Sequence, residues 1–435
     1  MHGHKKQERK KQERKKWYKL DNAALLYPAV ATSRWCSIFR VSVELSTPVD
    51  PALLEEAVRQ TLPRFPALKV RIRSGLFWHY LEEIQTPVPV FPEAGHPCMP
   101  FHLRSHSGYL FRVLYRGNRI SAEFFHVLTD GFGGMTFLKT LTVQYLRLAG
   151  HPDVQADHGA LSVTAVPDPE ETRDMFCTMD LPHTRVSRDA PRAWHFPATK
   201  EIPHTLHLIA ASMSTSALLD RCHALGVTVT EYLVSAMLYV AQAEQISSGP
   251  KRLRPVRVSV PINMRRLVST RTLRNFSTFI NPGIDPALGE YTFEEICRSV
   301  RSYMAYYSDP KLLKATIATN VADEKHFLIR LVPLFIKNWC ISSVYHRAGE
   351  KLFTSTLSNL GRIEPPTGTE DLIRSFEMCL GTSSRPLWNA ACCSCGDSFR
   401  LILTGTSREK TLPAALLRFL VSQGIPVTVQ SNDEE

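Results

Sequence analysis

The chain has 435 residues, 44% of them hydrophobic and 21% charged, a balance that excludes fibrous and wholly disordered classes. No apolar run reaches the ~18 residues of a membrane helix, no charged-then-apolar leader opens the chain, and the ten cysteines lack disulfide-like spacing. A soluble cytoplasmic protein with reduced thiols, built as two domains, is therefore expected.

The formal net charge of +11 raises the question of nucleic acid. Much of it sits in the opening MHGHKKQERKKQERKK, which repeats KKQER twice and holds six Lys and two Arg against two Glu. Residues 1–19 are expected to be a disordered or loosely helical tail, or a basic anchor for an anionic surface. The remaining cations are dispersed, and no zinc finger, helix-turn-helix or RNA-binding aromatic motif accompanies them, so nucleic-acid binding is not expected.

After the tail, WCSIFRVSVEL (35–45) alternates as a strand, and Asp50 with Pro51 opens a helix carrying Leu53, Leu54, Ala57, Val58 and Leu62 on one face. ALKVRIRSG reads as a half-exposed strand, and Gly117-Asn118 joins two strands as a hairpin. Glycines 131, 133 and 134 predict a tight loop, with the next helix running from about Gly134 to Leu148. Prolines punctuate residues 159–203, an expected crossover linker between 20–158 and 204–435. In the second half 205–213 reads as a strand, helices follow at 215–225 and 230–246, and VRVSVPI is a buried strand. Gly396-Asp397 then joins two late strands before a closing helix at 412–423. The segment LIRLVPLFIKNWC is read as core, or as the lining of a tunnel. Mixed strands and helices in two comparable halves argue for an α/β protein of two sandwiches.

The stretch FFHVLTDGFGGMTF (124–137) brings His126 and Asp130 to the end of a strand. A neutral imidazole there is a candidate general base, since its pKa lies near working pH. No G-x-S-x-G or similar nucleophile accompanies it, so the nucleophile would be the substrate's own hydroxyl or amine. The competing reading is a satisfied histidine with an aspartate that caps the following turn.

The sequence resembles the chloramphenicol acetyltransferase-like superfamily of H-x-x-x-D-G acyltransferases, which includes condensation domains and is here most similar to bacterial alcohol acetyltransferases. Three segments carry the resemblance: FFHVLTDG, VSVPINMRRLVSTRTLRNFSTF (258–279) and TSTLSNLGRI (354–363). It implies two chloramphenicol acetyltransferase-like subdomains with an interdomain tunnel. His126 would be the catalytic base, Asp130 and Gly131 would shape its loop, and Arg265, or the adjacent Arg266, would pair with Asp130. Ser358, Asn359 and Asn263 would be oxyanion or tunnel candidates, with Asn263 alternatively holding the Arg265 loop. It further implies no permanently bound cofactor, acetyl-CoA or another acyl-CoA as co-substrate, and a small alcohol or amine acceptor. The plant branch's Asp-Phe-Gly-Trp-Gly is absent, Phe125 stands where condensation domains carry a first histidine, and no carrier-protein domain accompanies these residues. A free acyl-CoA is therefore expected over a tethered thioester.

Cys392, Cys393 and Cys395 cluster in ACCSCGD without a second ligand pair at zinc spacing, and His102 and His106 lack a helical context, so no metal site is expected.

Overall fold

The computed structural model describes residues 16–31, 37–93, 95–101, 108–184, 186, 190–325, 331–383, 385 and 387–432. Of the tail, only residues 16–19 are among these, and His102 and His106 lie outside them.

A five-stranded sheet holds Ile373–Leu380, Ile38–Leu45, Arg119–Phe125, Phe111–Arg116 and Val90–Pro92 in that spatial order, antiparallel except for the last pair. Its second strand, Ile38–Leu45, is buried on both faces. Phe39, Val41, Val43 and Leu45 join the hydrophobic core, while Arg40 turns the other way and ion-pairs with Glu93 and Glu123. Arg119–Phe125 follows a hairpin whose Gly117 has φ +54°, the left-handed conformation that glycine adopts without penalty.

The second sheet is mixed, with Ser277–Ile280, Val256–Asn263, Ser355–Arg362, Trp388–Cys395, Ser398–Gly405, His207–Ser214 and Thr428–Ser431 as successive neighbours. Helices Val229–Ser247 and Phe293–Tyr307 pack beside it, each opened by a capping box, Thr228 with Glu231 and Thr292 with Glu295. Each large sheet has its own hydrophobic core. The strand Ile373–Leu380 lies beyond residue 204 in the chain yet pairs with Ile38–Leu45, so the C-terminal half completes the N-terminal sheet.

Residues 159–203 form only one short 3₁₀ turn, Pro169–Thr172, among the described elements. They run across both halves. Glu171 accepts from Arg64 Nη1 and Nη2, each at 2.6 Å, and Trp194 N donates to Pro255 O.

Two sequence expectations are corrected. The helix after the histidine begins at Gly131, not near Gly134, so the glycine cluster is its first turn rather than a loop. None of these glycines has a positive φ. They are required by close packing: a Cβ on Gly133 would lie 2.1 Å from Thr129 Oγ1 and 2.3 Å from Leu273 O, and one on Gly134 would lie 2.8 Å from Phe39. Nor are the described residues of LIRLVPLFIKNWC, 331–340, core; the first three residues of that segment lie outside the described residues. Its helix, Leu334–Ala348, is apolar on more sides than its neighbours cover, leaving Phe335 and Trp339 73% and 71% exposed.

Candidate active site

His126 follows directly on the strand Arg119–Phe125, where its N–H donates to Ser37 O at 2.9 Å. Tyr27 stacks on the ring at 4.8 Å between centroids, and Phe39 leans on it at 5.0 Å. The ring is half-buried rather than sealed.

Asn275 fixes its protonation. Asn275 Nδ2 donates to His126 O at 2.8 Å and to the Asp21 carboxylate at 3.2 Å, both of them acceptors. That leaves Asn275 Oδ1, 2.9 Å from His126 Nδ1, as an acceptor, so Nδ1 carries the proton. The lone pair of the neutral ring therefore sits on Nε2, which has no hydrogen-bond partner among the described residues. Burial pulls the imidazole pKa below its ordinary value, against the opposing influence of the Asp130 charge and the Asn275 bond. Both effects leave a neutral ring with an available nitrogen.

Asp130 does two things that the sequence analysis held apart. It is the N-cap of helix Gly131–Leu148, with Oδ1 accepting from Gly133 N at 3.2 Å. Its other oxygen accepts from Arg265 Nη1 at 2.7 Å and from Phe276 N at 2.9 Å. Arg265 is in turn fixed by Thr272 O, Arg274 O and Asn263 Oδ1, and its guanidinium lies 4.5 Å from the Phe132 ring centroid. Every nitrogen of that guanidinium has an acceptor, and the side chains of Asp130 and Arg265 are nearly buried. Arg266, the neighbouring candidate, is exposed.

The remaining candidates part company. Asn263 caps the short turn Met264–Arg266, Oδ1 accepting from Arg265 N at 3.0 Å, so it holds the arginine loop. Asn359 is also committed: Nδ2 donates to Thr230 and Oδ1 accepts from Gly361 N at 2.7 Å. Asn263 thus holds the arginine loop through its Oδ1, and Asn359 bridges Thr230 and Gly361. Ser358 is buried and donates only weakly, to Met378 Sδ at 3.8 Å. Met378 and Leu360 sit where a Cβ on Gly131 would go, at 3.3 and 2.9 Å, so Gly131 is a close-approach glycine rather than a turn glycine.

Sequence reasoning passed over four residues that complete this cluster: Tyr27, Asp21, Arg274 and Asn275. Asp21 is fully buried beside Arg274 at 3.3 Å, and burial pushes its pKa up to about 6 despite the arginine. The signal for Asn275 lay in the quoted segment ending RNFSTF, but nothing local ties it to a histidine 149 residues away.

Two cavities are shaped nearby and beyond. One is lined by Phe65, Leu68, Leu128, Thr129, Gly133 and Leu273, and the other by Met237, Val240, Val258, Ser355, Trp388 and Leu416. His126 lines neither. No His, Cys, Asp or Glu group able to hold a metal occurs among the described residues, and burial raises the thiol pKa of Cys392, Cys393 and Cys395.

No family model matches the chain, and no curated protein sequence matches it. Solved structures do. The chain is similar to TRI101 of F. sporotrichioides, complexed with coenzyme A and T-2, at 12% identity and a TM-score of 0.61, covering 96% of this chain and 99% of that one. It is similar to TRI3 trichothecene 15-O-acetyltransferase from Fusarium sporotrichioides at 11% identity and a TM-score of 0.58, covering 94% and 95%. It is also similar to the first condensation domain of the calcium-dependent antibiotic synthetase at 14% identity and a TM-score of 0.59, covering 94% and 96%. The fold is therefore the mixed α/β, two-subdomain architecture of chloramphenicol acetyltransferase-like and condensation-domain proteins.

Proposed function

We propose that the chain is an acyltransferase that moves an acyl group from acyl-CoA to the hydroxyl of a small alcohol, with His126 as its single general base. The observation that carries this reading is the Asn275–His126 contact, which presents a neutral imidazole with its lone pair on Nε2. In the proposed step Nε2 takes the acceptor's O–H proton as that oxygen bonds to the thioester carbonyl carbon. The tetrahedral intermediate then collapses, the C–S bond breaks, and the departing thiolate takes the proton from Nε2 to give free CoA and an ester. Ser358 is the oxyanion donor we favour, because its hydroxyl makes only the weak contact with Met378 Sδ. Within this reading the segments 20–158 and 204–435 are the two subdomains and 159–203 their linker, so that His126 comes from one and Arg265 with Asn275 from the other.

The likeness in fold to an O-acetyltransferase and to a protein complexed with coenzyme A supports the donor class. The test is release of free thiol from acetyl-CoA in the presence of a panel of alcohols and amines. Turnover with alcohols that falls about 100-fold or more in His126→Ala is expected. Turnover with amines alone moves the assignment to N-acylation, and undiminished turnover in His126→Ala removes the base.

A further inference from the structure

A second feature of the molecule is independent of acyl transfer. Cys98 and Cys379 stand 281 residues apart in the chain, yet their sulfurs lie 3.8 Å from each other. Both are buried, and both are reduced thiols in the structure. Cys379 is held by its strand, Ile373–Leu380, where the register sets it opposite Arg40; just beyond it, Gly381 N donates to Ile38 O at 2.8 Å. Cys98 belongs to no strand or helix, and its N–H donates to Glu123 Oε1 at 2.7 Å. A Cβ on Gly381 would lie 3.2 Å from Cys98 Cβ, so this loop packs directly on the end of the strand.

Buried cysteines often serve only as small apolar side chains. Two observations set this pair apart. Cys98 has φ +56°, a left-handed conformation uncommon for any residue but glycine, so the surrounding contacts hold its side chain in place against a local cost. One buried ion pair also positions both cysteines. Arg40 Nε donates to Glu123 Oε1 at 2.8 Å, the same oxygen that accepts from Cys98 N, and Arg40 is the strand partner of Cys379. Its guanidinium is near enough to both sulfurs to favour their thiolates, whereas burial pushes the Cys98 thiol up. A disulfide needs the sulfurs at about 2.05 Å. The strand is fixed by its ladder, so the loop supplies the movement.

We infer that Cys98 and Cys379 are a modification site, an oxidisable pair that a peroxide closes to a disulfide, stapling the loop to the strand. A small oxidant is required, because the two residues are 1% and 3% exposed and Phe101 and Leu208 pack against their cluster. One sulfur, as thiolate, attacks a peroxide oxygen. The O–O bond breaks, giving a sulfenic acid and, after proton uptake, one water. The second sulfur then attacks the sulfenic sulfur, the S–S bond forms, and the hydroxyl leaves with a proton as a second water. Two thiols lose two hydrogens and two electrons, and one hydrogen peroxide becomes two waters.

The test treats the folded full chain with hydrogen peroxide, alkylates the remaining thiols with iodoacetamide in denaturant, and maps the peptides without reductant. Two peptides joined through Cys98 and Cys379 are expected, about 2 Da lighter than the sum of their reduced forms and separated by dithiothreitol. Because the link closes a long loop, the oxidised chain should melt about 5 °C above the reduced one. Cys98→Ala removes the partner, so the gain on peroxide treatment should vanish and Cys379 should appear in no disulfide. Recovery of both residues as alkylated thiols from the treated wild-type chain overturns the proposal. So does either residue linked to a different cysteine. The mapping is read on the wild-type chain and holds even where the variant fails to fold.

Discussion

Asn275 grips His126 at two points, its Oδ1 2.9 Å from the ring Nδ1 and its Nδ2 2.8 Å from the same residue's carbonyl oxygen. Because the carbonyl can only accept, the amide cannot turn over without losing a hydrogen bond. The contact therefore selects a tautomer as well as a position. Asn275 is a positioning residue on this account, acting through the histidine.

Replacing Asn275 by Leu removes the acceptor while keeping bulk. The ring is then free to carry its proton on Nε2, where it cannot accept one. Thiol release from acetyl-CoA is expected to fall about 100-fold in kcat, with a smaller change in KM for the acceptor. An imidazole ¹⁵N spectrum that still shows Nδ1 protonated in the variant, together with wild-type turnover, would contradict this.

Asp130 and Arg265 form a buried pair in which every guanidinium nitrogen and both carboxylate oxygens are engaged. Asp130→Ala strands the arginine and two backbone N–H groups, those of Gly133 and Phe276. A loss of about 3–5 kcal/mol in urea unfolding is expected. Arg265→Lys, which cannot reproduce the fork to Thr272 O and Arg274 O, should also destabilise, by less.

The pH dependence has two opposed components. On the proposed mechanism His126 acts only when neutral, and burial holds its pKa below the ordinary value of about 6.5. Activity should therefore hold through pH 7 and decline on an acid limb whose midpoint lies under about 6.5. In stability the depressed histidine favours the folded state above the unfolded pKa and loses that contribution as pH falls through the folded one. Asp21 has the opposite sign. Its pKa is raised to about 6, so its contribution is fully present below the unfolded value of about 3.9 and is lost as pH rises through about 6. Asp21→Asn should flatten the stability profile between those two values, as read by thermal melts across pH. An unchanged profile would mean that Asp21 does not titrate there.

How far the sequence reveals this site depends on distance along the chain. The hairpin at Gly117-Asn118 and the Asp50 cap are local, and they are formed as expected. The four-residue spacing from His126 to Asp130 is local too. Asp130 caps its helix through one oxygen and meets Arg265, 135 residues on, through the other, a partner that only the resemblance to a known family suggested. Asn275 and Asp21 belong to the same cluster, yet they are ordinary residues in unremarkable surroundings until the two halves meet. The apolar helix Leu334–Ala348 misleads for the converse reason. Hydropathy shows that it could be buried, while only the packing shows that one side is left uncovered.

The glycines give the sharpest case of tertiary contact overriding local propensity. Glycine disfavours helix by about 1 kcal/mol, and two of the helix's first three residues are glycine, with a third next. If they were present for backbone freedom, alanine would be tolerated at each, because none has a positive φ. Packing predicts a graded outcome instead. At Gly133 the added methyl meets Thr129 Oγ1 at 2.1 Å and the Leu273 backbone oxygen at 2.3 Å, and the backbone cannot yield cheaply. Gly133→Ala should cost about 3 kcal/mol or more. At Gly131 the methyl meets the tips of Leu360 and Met378, at 2.9 and 3.3 Å, which can swing aside. Gly131→Ala should therefore cost about 1 kcal/mol or less once the gain in helix propensity is included. Urea midpoints for the two variants measure the difference directly, and equal midpoints would return the glycines to a backbone role.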